Sequence, residues 1–430
     1  MRARERHPVA EIIEAHESGS IRGIYSVCSS NELVLKASFA QAREDGSHLL
    51  VESTCNQVNQ YGGYTGMTPA SFAEYMAEMA EATGFPREKL ILGGDHLGPT
   101  VWKNEPSGQA MDKAGELLRE YARAGFTKIH LDASAPCAGD PRPLPDEIVA
   151  ERSAELCRIV EESKSDEMMP IYVVGTEVPV PGGVQEEDEG LKITEPAEAA
   201  ATIENARKAF AAQGLEDAWE RVSALVVQPG VEFGNDFIID YDREQAAALS
   251  GFIDDYPGMT FEAHSTDYQK KSALREMVED NFTILKVGPW LTYALREGLI
   301  ALGLIEREMI AALGRRTETS GLAEALETEM NSNPVYWEKY YPGTPGEKAL
   351  QRKYSFSDRV RYYWQRPRVE KSVEQLFINL DSMEIPLSLL SQYLPFQYLA
   401  VREGRLDLSP RNIALDKVRD VLRLYSYACI

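Results

Sequence analysis

The sequence predicts a (β/α)8 barrel closed by a helical C-terminal extension. Three observations carry that reading: eight β-prone apolar runs, helical patterns between them, and polar residues at the end of every run. The runs are RGIYSVCS (22–29), HLLVESTC (48–55), KLILGGDH (89–96), KIHLDAS (128–134), IYVVGTEV (171–178), ALVVQPG (224–230), TFEAHST (260–266) and TILKVGP (283–289). Most are continuously apolar rather than alternating, as expected of parallel strands covered on both faces. Strand–helix alternation kept up over residues 22–289 implies a closed barrel. A doubly wound open sheet is the competing pattern.

The intervening segments justify themselves in turn. SFAEYMAEMAEATG (71–84), AMDKAGELLREYARAG (110–125), EIVAERSAELCRIVEES (147–163), PAEAAATIENARKAFAAQG (196–214) and REQAAALSGFIDDY (243–256) each place aliphatic residues at three- and four-residue spacing, with charge on the other face. Gly125 and Gly214 stand where glycine ends a helix and feeds the next strand. The barrel is expected over 1–300 and the helical extension over 301–430.

Composition excludes several classes. A net charge of −23 would repel a polyanion at long range, which argues against a nucleic-acid partner. No apolar run reaches the ~18 residues that a membrane span needs, and the N-terminus MRARERHPVAEIIEAHESG carries charge where a signal peptide needs an apolar stretch. Cys28, Cys55, Cys137, Cys157 and Cys429 show no CxxC spacing, so neither a disulfide framework nor a cysteine zinc site is suggested. A reducing cytoplasm is the expected setting, with no membrane partner. The oligomeric state stays open.

In such barrels the chemistry sits at the C-terminal strand ends. There the sequence places Ser29, Glu52 followed by Asn56, Asp95 with His96, Asp132 with Ser134, Thr176 with Glu177, Gln228, His264 with Asp267, and Lys286. His130 lies within its strand, where a hydrogen-bonded interior histidine is the simpler reading. Two neutral imidazoles, His96 and His264, together with Glu177 suit a divalent transition ion with an open position, zinc or manganese. Such an ion polarises a carbonyl while Asp95, with Glu177 nearby, moves a proton. The alternative is a packed polar mouth in which both histidines only hydrogen-bond. Glycine turns at 59–69 and 178–190 could bind phosphate through backbone amides. No GxxxxGK[ST] phosphate loop exists.

Beyond strand eight the alternation stops. NPVYWEKYYPGTPG is a proline- and glycine-marked bridge, and RKYSFSDRVRYYW (352–364) gathers Arg352, Lys353, Arg359 and Arg361 within an acidic chain. Aromatic and arginine side chains together suit an interface or a lid over a sugar phosphate, with Arg359 a candidate substrate contact. An amphipathic helix packed on the barrel would look the same. PLSLLSQYLPFQY (386–398) is apolar enough to dock on the body.

The stretches GIYSVCSSN, ESTCNQVNQYGGYTGMTP, LILGGDHLGP, GFTKIHLDAS, GTEVPVPGG, LVVQPGVEF, FEAHSTDYQ, LKVGP, YSFSDRVRYYW and SQYLPFQY resemble the Z-type accessory subunits of D-tagatose-1,6-bisphosphate aldolase, from about residue 8 to the C-terminus. The resemblance implies a barrel that supports a separate catalytic class II aldolase subunit acting on a phosphorylated ketose, in galactitol and amino-sugar catabolism. It also implies a distant relation to class II aldolases, whose proton-transferring aspartate and metal ligands correspond to Asp95, His96, Glu177 and His264. At strand six those enzymes carry a further histidine and this chain carries Gln228, so any ion is expected to be weakly held. A metal-dependent aldolase or epimerase acting alone is the alternative. The older family label, tagatose-6-phosphate kinase, finds no phosphate-loop support.

Overall fold

The computed structural model describes residues 6–176, 191–312 and 318–430. Eight parallel strands close on themselves: β1 (Ile24–Val27), β2 (Leu49–Thr54), β3 (Leu90–Leu97), β4 (Lys128–Leu131), β5 (Ile171–Val174), β6 (Val222–Val227), β7 (Thr260–Ala263) and β8 (Ile284–Val287), each hydrogen-bonded to its sequence neighbours and β8 back to β1. The open-sheet alternative is thereby excluded. The register pairs Ser26 with Lys286 and Thr54 with Asp95, which brings the polar strand ends to one rim.

Helices Pro69–Thr83, Ser107–Arg123, Asp146–Ser163, Pro196–Ala212 and Arg243–Phe252 lie where the periodicity puts them. Gly125 and Gly214 follow their helices at φ 85° and 70°, the left-handed conformation that glycine adopts without cost. Two ring helices, Glu32–Asp45 and Lys271–Glu279, had no counterpart in the sequence reading.

The floor and the seam are closed by the chain ends. Helix Pro8–Glu17 buries Val9 and Ile13 against Ile24, Leu50, Ile91, Ile171, Ala224 and Ile284, the lowest inward layer of the barrel. Burying two such side chains stabilises the plug by about 1.5–3 kcal/mol each. Helix Pro289–Ala312 runs on from β8, while the last helix, Pro410–Cys429, packs against it and between helices Lys271–Glu279 and Glu32–Asp45. It is joined to the sheet end by the bond from Gly23 N to Cys429 O. Its Tyr425 hydroxyl donates to Thr266 O at 2.8 Å, which ties the C-terminus to the loop after β7.

RKYSFSDRVRYYW is not one helix. Helix Pro345–Tyr354 stops at Ser355, and 355–363 forms a strap with a 3-10 turn at Arg359–Tyr362. Asn235, in the loop after β6, bonds the Ser355 and Ser357 hydroxyls. Asp358 is held by Thr292 at 2.6 Å and by Arg296 at 3.3 Å. PLSLLSQYLPFQY divides before Pro395 into helices Leu387–Tyr393 and Pro395–Arg402.

Candidate functional site

Strand alternation decides what enters the barrel. On β3, Ile91, Gly93 and Asp95 point inward; on β4, Lys128 and His130 do so, as do Glu52 on β2, Glu262 on β7 and Lys286 on β8. Above the apolar floor these charges form one buried network. Lys128 Nζ lies 2.6 Å from Glu52 and 2.5 Å from Glu262. Lys286 pairs with Glu52 and lies 3.0 Å from Asp95 Oδ1. Carboxylates and ammonium groups can share so dry a space only because each neutralises the next.

The two glycines of LILGGDHLGP make room for this. A Cβ on Gly93 would stand 2.6 Å from Glu52 Cγ, and one on Gly94 would stand 2.4 Å from Leu97 Cδ1. Gly93 therefore lets the Glu52 side chain cross the barrel.

Three imidazoles sit above the network. The ring centroids of His96, His130 and His264 are 5.1–5.5 Å apart. His96 Nδ1 donates to Asp132 Oδ2 at 2.9 Å, and Ser134 Oγ donates to Asp132 Oδ1 at 2.6 Å. His130 Nδ1 lies 3.0 Å from Asp95 Oδ1, and His264 Nε2 donates to Glu262 Oε1 at 2.9 Å. The two strand-end turns are strained: His96 has φ 49° and Ser265 φ 54°, a region that side chains rarely occupy.

These contacts set the protonation states. Burial would raise Asp95, but His96, Lys286, His130 and His264 outweigh it and hold the carboxyl well below its usual range. Burial would lower His96, but Asp95 and Asp132 overcome it and raise its pKa, so it keeps a proton more readily. Burial dominates at His264, which falls to about 4 despite Glu262. A neutral His264 that donates through Nε2 leaves Nδ1 with its lone pair. Lys286 is held protonated well above its ordinary range by Asp95, Cys28, Glu52 and Glu262, against the pull of burial. It is therefore a cation and a poor nucleophile.

A cavity of about 110 Å³ opens over this set. Of the residues singled out in the sequence, Asn56, Asp95, His96, His264, Asp267 and Lys286 line it. Asp132 and Ser134 stand behind His96. Ser29 Oγ accepts from Asn31 N at the start of a helix. Gln228 Oε1 accepts from Gly230 N and Val231 N, so its amide oxygen is engaged in its own loop. Arg359 is buried against Tyr340 away from the cavity, while Arg361 and Tyr362 line it. Glu177 lies outside the described residues. The sequence places Glu52 at a strand end without a role, and Lys128 and Glu262 are missing from its site residues; a lone charge at an inward position of an apolar strand is the available signal. The segment of Arg361 reads as a lid in the sequence, but the 3-10 turn that sets Arg361 rather than Arg359 over the mouth leaves no such signal.

Asp95, His130, Glu262 and His264 offer ligand atoms within 4.8 Å of one another, and His130 Nε2 is buried without a hydrogen-bond partner. That donor set is compatible with a divalent ion.

The fold is a closed (β/α)8 barrel of the TIM type, with acids, imidazoles and a lysine gathered toward the C-terminal strand ends. The family model for D-tagatose-1,6-bisphosphate aldolase subunits of the GatZ/KbaZ-like type matches residues 9–430, and the chain belongs to that family. A protein from Sinorhizobium meliloti 1021 named as a probable tagatose 6-phosphate kinase is 46% identical, with a TM-score of 0.87 over 95% of this chain and 100% of that one. A fructose-bisphosphate aldolase from Campylobacter jejuni (13% identity, TM-score 0.44, 87% of this chain and 94% of that one) and the YdjI aldolase from Escherichia coli K12 (11%, 0.40, 86% and 97%) are likenesses too slight to bear on function. No helix among the described residues is long and apolar enough to cross a membrane.

Proposed function

We propose that this protein is an accessory subunit of a class II D-tagatose-1,6-bisphosphate aldolase. It supports a separate catalytic subunit, and its own barrel mouth holds a phosphorylated ketose without cleaving it. One observation carries the reading. At the strand-six position where the resemblance to class II aldolases implies a further histidine, the chain has Gln228, whose amide oxygen is bound to Gly230 N and Val231 N. Lys286, 3.0 Å from Asp95 and 3.8 Å from Glu262, adds a positive charge beside the remaining ligands.

Asp95, His130, Glu262 and His264, with His96 beside them, are the residues that would hold a zinc- or manganese-like ion, weakly. A bound ion would supply Lewis-acid polarisation of a carbonyl. The chain's own residues orient a ligand instead: Lys286 presents an ammonium, His96 a proton-bearing imidazole, and Asn56 an amide.

The purified protein is expected not to cleave tagatose 1,6-bisphosphate alone and to raise the activity and stability of the catalytic subunit on mixing. Cleavage by the protein alone, lost in His264→Ala, overturns this reading in favour of a metal-dependent lyase or epimerase. The three imidazoles within 5.5 Å favour that second reading. Calorimetry with zinc and with manganese separates the two further, since chelator-sensitive binding lost in His264→Ala is required for the second and only weak binding is expected for the first.

A further inference from the structure

Resting on the reading that the mouth takes a phosphorylated ligand, we infer that the C-terminal strap supplies the phosphate subsite. Arg361 binds the phosphate oxygens directly, and Arg359 keeps the surrounding field positive.

Among the described residues, neither arginine has a carboxylate within ion-pair distance. Other buried or half-buried arginines do: Arg296 with Asp358, Arg352 with Glu327, and Arg152 with Asp140. In a chain of net charge −23, two unpaired guanidinium groups side by side are an exception that asks for an anion. Arg359 is 3% exposed, and its Nε and Nη2 have no hydrogen-bond partner. It is held 3.4 Å from the centroid of Tyr340. Their joint field acts on Tyr362: burial would raise this phenol, yet Arg361 and Arg359 lower its pKa.

Arg361 is aimed and fixed. Its Nη1 donates to the Ser357 and Asp358 carbonyls and its Nη2 to the Tyr362 hydroxyl, 3.0 Å away. Of the five N–H donors of a guanidinium, Nε–H and one on Nη2 remain for a ligand. The strap cannot easily swing, because Asp358 is bound to Thr292 and Arg296, and Tyr362 stacks on Tyr336 (centroids 4.8 Å apart) while meeting Tyr64 edge to face (4.9 Å). A donor fork held in place before binding saves ordering entropy.

The lining favours phosphate over a carboxylate. Asn56, Gln57, Tyr64 and Ser265 supply neutral hydrogen-bonding groups to the cavity, which suits several acceptor oxygens. Of its two carboxylates, Asp95 is paired with Lys286, while Asp267 accepts from Gly288 N and Trp290 N. Arg361 in the lining, with Arg359 behind it, offers positive charge to the charge of about −1.5 to −2 on a phosphate monoester at neutral pH. The cavity, about 110 Å³, accommodates a group of that size.

The test is calorimetry on the full-length protein with inorganic phosphate, dihydroxyacetone phosphate and dihydroxyacetone. Wild type is expected to bind the two phosphates and not the triose. Arg361→Met should weaken both phosphates about tenfold or more, the scale of losing charge-assisted hydrogen bonds. Arg361→Lys should recover part of the affinity, and Arg359→Met should weaken binding less than Arg361→Met does. Circular dichroism identifies any variant that fails to fold, and the Lys variant then carries the comparison. Absence of phosphate binding by wild type, or undiminished binding by folded Arg361→Met, overturns the inference. Stimulation of the catalytic subunit is read separately: stimulation without phosphate binding sinks only this inference, and phosphate binding without stimulation sinks only the accessory role.

Discussion

Lys286 Nζ lies 3.0 Å from Asp95 Oδ1, so the carboxylate that closes strand three is neutralised from strand eight across the barrel. The same ammonium pairs with Glu52, which in turn meets Lys128 and, through it, Glu262. Charge passes in alternation around the interior, and each member is buried because its neighbours are.

Removing one member should therefore cost more than the pair contributes. Lys286→Met leaves Asp95 without its ammonium partner and Glu52 with Lys128 alone. The expected destabilisation is about 3–5 kcal/mol, that of breaking a buried ion pair. Chemical denaturation measures it. Lys286→Met with Glu52→Gln should be less destabilised than the sum of the two single changes; additivity would show that the network is not coupled.

Gly93→Ala tests the crossing of the Glu52 side chain. The added methyl would stand 2.6 Å from Glu52 Cγ and 3.1 Å from its Cδ, so the carboxylate must move off Lys128 or Lys286. A loss of about 1–3 kcal/mol is expected, as for overpacking elsewhere. Gly251→Ala, with nothing within 4 Å of its new Cβ, is the control and should be nearly neutral or stabilising.

The barrel and its polar rim were legible because they obey local rules. Strands buried on both faces read as apolar runs, and strand ends that face a cavity read as polar punctuation. Asp95 beside His96 announced itself that way. Helix Glu32–Asp45 did not, since Leu33, Val34, Leu35, Ala37, Phe39 and Ala42 are buried around most of its circumference. The C-terminal helix covers its outer side and leaves little polar stripe to see. Lys128 and Glu262 were hidden by their apolar neighbours, although their inward register makes a charge there costly unless paired. The separation of Arg359 from Arg361 needed the 3-10 turn, which no periodicity signals.

Asp132 is placed to govern His96. Its carboxylate takes the Nδ1 proton at 2.9 Å, and together with Asp95 it raises the imidazole pKa against burial. Asp132→Asn should lower the His96 pKa and free the ring to change tautomer. Histidine resonances followed by NMR against pH report both. Ser134→Ala should act in the same direction but less, since Ser134 touches Asp132 and not the ring. A His96 pKa unchanged in Asp132→Asn would mean that Asp95 alone sets it.

Glu232 should make stability fall as pH rises toward neutrality. Burial, with Asp267 adding to it, pushes its carboxyl from 4.5 to about 7, against the opposing bond from Phe233 N at 3.0 Å. Asp267, buried in the cavity wall, is pushed up to about 6. An acid whose folded pKa is raised holds its proton more tightly in the native state. Its contribution is fully present below the unfolded value near 4.5 and is lost as pH rises through about 7. The shift corresponds to a loss on the order of 3 kcal/mol across that window. Glu232→Gln keeps the acceptor for Phe233 and removes the titration. Relative to wild type, it should be more stable at pH 8 than at pH 5, as read from denaturant midpoints at each pH. Part of the wild-type decline should survive in the variant, because Asp267 titrates with the same sign. A difference between variant and wild type that does not change with pH would show that Glu232 stays ionised in the folded protein.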